Sequence, residues 1–352
     1  VTSQRHIWLE DIGVYTAARN PDPQYAMYGT LTKVHYPTGG YTRLVYEPHK
    51  YTEKVNANRT STIALNYESI AGGLRVKEIY AGDGIPGAPE KLVKSYKYYD
   101  ASQSRNTKST GILLTDAIYK FGTDNTATYM TIAKSKIYTT QSVHGVGING
   151  DGSHVGYTCV SEVYPDGSMS VYRFSAYSDP GCNDIPGLVM TAGIKLFFPY
   201  NSYAFRRGSL LWRKDYASDG RLVKNTEYEY KEINRISVLN YKQIYTINEG
   251  IQYLDNYRYC VLLDQRIPSR ETVTEYDDYG AEHVTVSTMS YNKNYNILKR
   301  VEQTTNGKYR TAVDYTYPFD QYETSAVSKK MVDNFILGNV IVESHRRYED
   351  DA

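Results

Sequence analysis

The stretch YASDGRLVKNTEYEY, residues 216–230, indicates the fold class of this chain. It opens with a turn that ends at Gly220, and the side chains that follow the turn alternate in character. Tyr228 and Tyr230 share one face of an extended chain, and Glu227 points to the opposite face. Such alternation with a period of two is typical of antiparallel strands that have one face in water. The stretch therefore predicts a turn leading into a β-strand.

The same combination of turn and strand recurs along the chain. An alternating segment follows a glycine-containing turn at four further places: 36–40 before 41–47, 164–167 before 168–176, 276–280 before 282–291, and 305–307 before 308–317. Glycine adopts the positive φ that reverses the chain in such turns. Irregular repeats of one hairpin stack into an extended sheet rather than a small closed barrel. We therefore expect an open sheet of hairpins.

Tyrosine is the unusual residue of the composition. The 352 residues include 38 Tyr, against 7 Phe and 2 Trp. Tyrosine favours strands and buries a large ring while its hydroxyl remains polar. We therefore expect tyrosine to supply much of the core.

Charge and hydropathy disfavour two classes of partner. The chain carries 40 basic and 39 acidic residues, a formal net charge of +1. Nucleic acids and anionic membrane surfaces are bound through clustered basic residues. No apolar run approaches the roughly 20 residues that a membrane helix needs. The sequence predicts no nucleic-acid partner and no membrane span in this segment.

These patterns predict an all-β architecture: an elongated antiparallel meander of hairpin repeats that forms an open, curled sheet or a partial β-shell. One short helix is expected near the C-terminus, over 325–337, with a further turn of helix after Asn20. We expect an N-terminal β repeat region, 1–205, and a C-terminal repeat region, 206–352, or else one continuous domain.

The motifs associated with cofactors and metals do not occur in the context that they need. Residues 145–150 match the dinucleotide fingerprint, but a β pattern follows them instead of a helix, which favours a flexible loop. The seven histidines show no close zinc spacing. The spacing of Cys159 and Cys182 permits a disulfide without implying one, and Cys260 would then be the third, unpaired cysteine. The sequence therefore predicts no cofactor and no metal site.

Carboxylates are the only candidates for catalysis. A glycosidase needs two of them about 5–10 Å apart across a cleft, which the sequence leaves open. Glu227 and Glu229 share one strand face, where a polar outer surface is the simpler interpretation. Asp277 and Asp278 lie in a turn, where aspartate caps backbone amides. We expect no catalytic residues, and a glycoside hydrolase with a carboxylate pair remains the last alternative.

Aromatic rings leave open a binding function. Rings on neighbouring strands could form ladders, and flat exposed rings stack on sugars. The candidate stacking residues are Trp8, Trp212, Tyr228 and Tyr230. Plain packing of a thin sheet is the competing interpretation. Carbohydrate binding is therefore the second functional hypothesis.

Several stretches resemble a known family. Residues 276–280 (YDDYG) and the looser 216–222 (YASDGRL) are similar to the Tyr-Asp repeat of RHS/YD-repeat proteins. Residues 29–47 and 72–79 resemble the long surface proteins of this kind from Bacteroidetes. These matches lie within 29–317, nearly the whole chain.

The resemblance implies a non-catalytic structural or interaction segment of a bacterial protein that is secreted or displayed on the cell surface. Its expected partners are neighbouring β segments of a longer parent chain, with polysaccharide as a further possible ligand. The chain opens at Val1 without a signal segment, so we expect a processed product or an excised piece. It is too short to close the large shell of complete family members, and it lacks the Asp-Pro-x-Gly signature that precedes their toxin domains.

Overall fold

The computed structural model describes residues 4–7, 21–56, 59–103, 107–115, 118–125, 136–144, 154–189, 200–248 and 251–348. The chain is mostly strand, its sheet is not closed, and a short helix lies near the C-terminus, which confirms the predicted fold class. It divides into two compact units, 1–209 with 235–263 and 210–234 with 264–352.

The first unit contains fourteen of the described strands and a single-turn helix. Their bounds are β1 (Gln4–Ile7), α1 (Pro23–Ala26), β2 (Lys33–His35), β3 (Tyr41–Val55), β4 (Thr62–Gly82), β5 (Lys91–Lys97), β6 (Gly111–Leu113), β7 (Ile118–Asn125), β8 (Lys136–His144), β9 (Val155–Tyr157), β10 (Cys159–Val163), β11 (Met169–Phe174), β12 (Ile185–Pro186), β13 (Leu188–Val189) and β14 (Tyr200–Asn201), followed by a 3-10 segment, Ala204–Arg206.

The remaining elements include two long strands, β16 and β17, that contribute residues to both units. The bounds are β15 (Leu210–Tyr216), β16 (Leu222–Asn248), β17 (Ile251–Tyr276), β18 (Glu282–Tyr291), β19 (Leu298–Thr305), β20 (Tyr309–Thr316), a 3-10 segment (Pro318–Gln321), α2 (Ala326–Asp333) and β21 (Val342–Tyr348).

Strand order differs between the two units. In the first, the main sheet runs β11-β10-β5-β4-β3-β6-β9, and β3 and β6 pair in parallel. In the second, the strands follow chain order from β15 to β21 as a meander. The four pairings between successive strands from β17 to β21 are all antiparallel. The second unit is therefore the plainest example of the predicted hairpin repeat.

Four turns share one hydrogen-bonding pattern. In each, the first residue donates its N–H to the C=O four residues later and accepts from the N–H of a glycine at positive φ. This pattern belongs to a short hairpin loop closed by a bulge, where glycine avoids a Cβ clash. The turns begin at Tyr36, Tyr164, Ala217 and Asp277, and their glycines are Gly39, Gly167, Gly220 and Gly280.

Aspartate stabilises three of these turns. The carboxylates of Asp166, Asp219 and Asp277 each accept from the backbone N–H two residues later, at 2.9, 2.9 and 2.8 Å. Asp277 also accepts from the N–H of Ala281 at 2.8 Å. The predicted capping role is therefore confirmed for Asp277. The carboxylate of Asp278 instead lies 3.0 Å from the guanidinium of Arg221.

Tyrosine hydroxyls join the two strands of five hairpins. Each hydroxyl donates at 2.7–2.9 Å to a backbone C=O in or beside the strand that precedes its own, and we call these contacts tyrosine latches. In three of the five, the latch is formed by the second tyrosine of a Tyr-x-Tyr sequence. The latches run from Tyr46 to Leu31, Tyr98 to Val76, Tyr230 to Leu210, Tyr291 to Pro268 and Tyr317 to Leu298.

Removing one latch hydroxyl is expected to destabilise the second unit. Tyr317→Phe keeps the ring, which is 5% exposed, but leaves the C=O of Leu298 without its donor. We expect the free energy of unfolding in urea to fall by about 1 kcal/mol. Tyr279→Phe is the matched control, because Tyr279 is 97% exposed. Equal unfolding curves for the two variants would contradict the latch.

The core is smaller and less tyrosine-rich than expected. One buried cluster of the first unit contains Ile112, Leu114, Ala176 and Tyr177, and the other contains Ala71, Leu113 and Val155. Among the described tyrosines only Tyr177 and Tyr317 are fully buried. The expectation of a tyrosine core is therefore wrong, because most described rings lie half-buried on the faces of a sheet.

The C-terminal helix has the predicted place but is shorter. The Ser325 hydroxyl caps its N-terminus by accepting from the N–H of Ser328 at 3.3 Å. The helix ends at Asp333 instead of 337, because Phe335 has φ +59° and leaves the right-handed region. The turn of helix expected after Asn20 is α1.

Candidate functional site

One face of strands β15, β16 and β17 forms an open cleft in the second unit. Its volume is about 250 Å³. Register places the side chains: Arg213 lies opposite Thr226, and Asp215 lies opposite Lys224. Alternate residues of a strand share a face, so these side chains point to the same side of the sheet. The lining residues are Arg213, Asp215, Lys224, Thr226, Tyr228, Glu271 and Val273.

The cleft combines donors and acceptors around a single ring. Arg213 donates to Asp215 at 2.8 Å, and Lys224 lies 2.9 Å from Glu275 at the edge of the cleft. The pKa of Tyr228 is raised, first by burial and then by the charge of Glu271 and a hydrogen bond to it. At neutral pH the cleft therefore presents a protonated phenol beside charged side chains of both signs. Such a lining suits a polar, uncharged ligand such as a sugar.

The four predicted stacking residues do not come together. Trp8 lies outside the described residues. Trp212 lies opposite Glu227, on the face away from Tyr228, and Lys214 approaches its ring at 4.8 Å. Of the described candidates, only Tyr228 lines the cleft.

Tyr230 lies on the same strand face as Tyr228, but its hydroxyl is hydrogen-bonded to the backbone. Its hydroxyl forms the latch to Leu210, and the guanidinium of Arg266 lies 4.8 Å from its ring centre. A ladder of Trp212, Tyr228 and Tyr230 on one surface is therefore not present.

None of the four carboxylates that the sequence offered as pairs, including Asp277 and Asp278, lines the cleft. Glu227 and Glu229 lie on the opposite face, where Glu229 is 3.7 Å from Arg270. The cleft instead holds Asp215 and Glu271, which sequence reasoning missed. Alternation alone could have placed Asp215 on a strand face, but only the pairing of β15, β16 and β17 brings it near Glu271.

A second polar cluster lies in the first unit around Arg75. Its guanidinium donates to Glu47 at 2.8 Å and to the hydroxyl of Ser109 at 3.1 Å. The same group lies over the rings of Tyr98 and Tyr157, at 3.9 and 5.2 Å. Burial raises the pKa of both phenols. Arg75 therefore joins charged, polar and aromatic side chains of several strands.

Two histidines extend this cluster. His49 Nδ1 lies 2.7 Å from the hydroxyl of Tyr157, and the ring centres of His49 and His154 are 5.9 Å apart. Burial is the main cause that lowers the pKa of His49 to about 4, with His154 and Arg75 adding to it. Burial also lowers the pKa of His154. Both imidazoles are therefore neutral at pH 7.

A third cluster surrounds a fully buried carboxylate. Asp184 has 0% side-chain exposure and lies 2.7 Å from Arg59 and 2.8 Å from Arg207. It also accepts from the N–H of Tyr203 at 3.1 Å. The Tyr177 hydroxyl donates to the C=O of Arg59 and accepts from the N–H of Asp184. These contacts fasten the segment around 184 to the turn between β3 and β4.

The remaining sequence motifs are the cysteines, the residue types that bind metals and the glycine-rich stretch. Cys159, Cys182 and Cys260 form no disulfide, and burial raises the pKa of Cys159 to about 12. In the described part of the chain, no three His, Cys, Asp or Glu side chains are grouped to hold a metal ion. The glycine-rich residues 145–150 lie outside the described ranges.

Over the same described ranges, no helix is long and apolar enough to cross a membrane. No protein-family model matches the chain, and no curated protein matches its sequence.

Proposed function

We propose that this chain is a non-catalytic structural and interaction segment of a bacterial secreted or surface-displayed protein similar to RHS/YD-repeat proteins. The observation that carries the proposal is the set of tyrosine latches. Tyrosine is well suited to a binding surface, but five tyrosine hydroxyls of this chain donate to backbone C=O groups within the sheet itself. The repeat thereby stiffens a sheet.

The charged clusters support the same function. Arg75 and Asp184 are satisfied by partners of their own unit. Their contacts hold strands and connections together, as a scaffold requires. Neighbouring β segments are the proposed partners, because the meander ends at the edge strand β21.

Carbohydrate binding is the second candidate, and the Tyr228 cleft favours it. A single ring beside arginine, lysine and carboxylate groups offers both a stacking surface and hydrogen bonds to hydroxyls. The cleft would take one or two sugar units of a neutral polysaccharide.

A panel of polysaccharides and cell-wall fragments, screened by calorimetry, decides between the two. The structural proposal predicts no saturable binding by the folded wild-type chain. Carbohydrate binding predicts saturation that Tyr228→Ala abolishes and Glu271→Gln weakens at least about tenfold. Trp212→Ala is the matched control, because Trp212 lies on the opposite face.

The outcomes separate clearly when each variant keeps the wild-type far-ultraviolet circular dichroism. Binding that depends on Tyr228 and not on Trp212 would replace the structural proposal as the main function. Binding lost only in Trp212→Ala would overturn the cleft as the site.

A further inference from the structure

β21 is an edge strand of the sheet in the second unit. β21 pairs with β20 over seven residues, from Val342 opposite Thr316 to Tyr348 opposite Arg310. Within the described ranges no strand pairs with its other side. The outer row of backbone N–H and C=O groups is thus open to another strand.

Apolar side chains lead directly into this edge. Val340, Ile341 and Val342 are 47%, 38% and 41% exposed. Such side chains next to an open strand edge favour association, since pairing would remove them from water.

The charges along β21 select a partner. Glu343 and Arg347 are both exposed and project from the same strand face, with His345 midway between them. Glu343 lies 2.9 Å from His345, and Arg347 has no ion-pair partner in the described part of the chain. Two copies of this strand could satisfy both charges.

Symmetry fixes the register. Two identical antiparallel edges are related by a twofold axis perpendicular to the sheet, and this axis leaves each side chain on its own face. Because directly opposed residues of antiparallel strands share a face, the axis must lie midway between one residue and the same residue of the second copy. An axis at His345 places Glu343 opposite Arg347 of the second copy, twice. An axis at Ser344 or Arg346 forms neither pair.

We propose that two copies of this chain associate through their β21 edges, antiparallel and centred on His345. The inference rests on the proposed function, because it names the partner of the same open edge as a second copy. Val342 of each copy then faces Tyr348 of the other, and two Glu–Arg pairs flank the centre.

Charge reversal tests the register by sedimentation velocity over a range of protein concentrations. Wild-type protein is expected to form a concentration-dependent dimer. Glu343→Arg and Arg347→Glu each place like charges opposite one another twice, and each should weaken the dimer at least about tenfold. An equimolar mixture of the two variants pairs opposite charges at every position and should recover the wild-type affinity.

Glu282→Arg is the control, because Glu282 is exposed on β18, away from this edge. A wild-type chain that stays monomeric would overturn the self-pairing. The proposed structural function would then still be decided by the polysaccharide panel described above. A dimer that neither reversal weakens would also overturn it. Weakening by both reversals without recovery in the mixture would overturn the register centred on His345.

Discussion

Replacing Asp184 by asparagine is expected to lower the free energy of unfolding of the first unit by about 3–5 kcal/mol. The side chain of Asp184 is fully buried, and those of Arg59 and Arg207 are 12% and 9% exposed. Asparagine keeps the shape but removes the charge, so two guanidinium groups lose their common partner in a desolvated site. Breaking a buried ion pair by removal of one partner has effects of this size.

Urea unfolding followed by circular dichroism measures this loss, and Asp219→Asn is the matched control. Asp219 is 64% exposed and lies 3.9 Å from Arg221, a distance at which exposed ion pairs stabilise little. Asparagine at this position keeps the side-chain oxygen that accepts from the backbone N–H of Arg221 in the turn. We expect the control to leave the unfolding midpoint near that of the wild type. A loss below about 1 kcal/mol in Asp184→Asn would contradict the role of this cluster.

Acidification from pH 7 to pH 4 is expected to lower the stability of the first unit by about 2–3 kcal/mol through His49. The unfolded chain takes up the proton near the ordinary histidine pKa of about 6.5. The folded chain takes it up only near 4, because burial, His154 and Arg75 disfavour the imidazolium. The stabilisation is therefore complete above the unfolded pKa and is lost as the pH falls towards 4.

Carboxylates add a separate effect at lower pH. Burial acts to raise the pKa of Glu68, but hydrogen bonds from Lys50 and Ser109, together with the charges of Lys50 and Arg75, lower it overall. Stability from this group is lost only as the pH falls below the ordinary glutamate range. Measurements between pH 7 and pH 5 therefore isolate the histidines, and His154 acts in the same direction as His49.

The slope of stability against pH is the diagnostic measurement. His49→Gln should reduce this slope between pH 7 and pH 5 to the part contributed by His154, whatever the variant does to stability at pH 7. His283→Gln is the matched control, because His283 is exposed on β18, outside the first unit. A wild-type slope that persists in His49→Gln would show that another group titrates in this range.

The features that could be predicted from the sequence are local. Glycine at positive φ and aspartate before it determine a turn within four or five residues, so the turns ending at Gly220 and Gly280 follow from their own residues. The Tyr-x-Tyr sequences can be read from the chain in the same way, but the backbone acceptor of the second hydroxyl lies on the preceding strand. Composition alone therefore led to the wrong expectation of a tyrosine core.

The cleft could not be predicted, because it depends on the register of three strands. Tyr228 and Glu271 are far apart in the sequence, and only the pairing of β16 with β17 brings them together. Trp212 lies on the other face because it is opposite Glu227, which no local pattern indicates. Neutral His49 and buried Asp184 depend in the same way on distant segments.

The central claim is that tyrosine hydroxyls hold the sheet together instead of binding a ligand. The most direct test compares two triple variants of the second unit by urea unfolding. Tyr230→Phe with Tyr291→Phe and Tyr317→Phe removes three latches. The control replaces three exposed tyrosines by phenylalanine: Tyr279, Tyr295 and Tyr309. We predict a loss of about 3 kcal/mol in the first variant and little change in the second. Equal stability of both variants would contradict the claim.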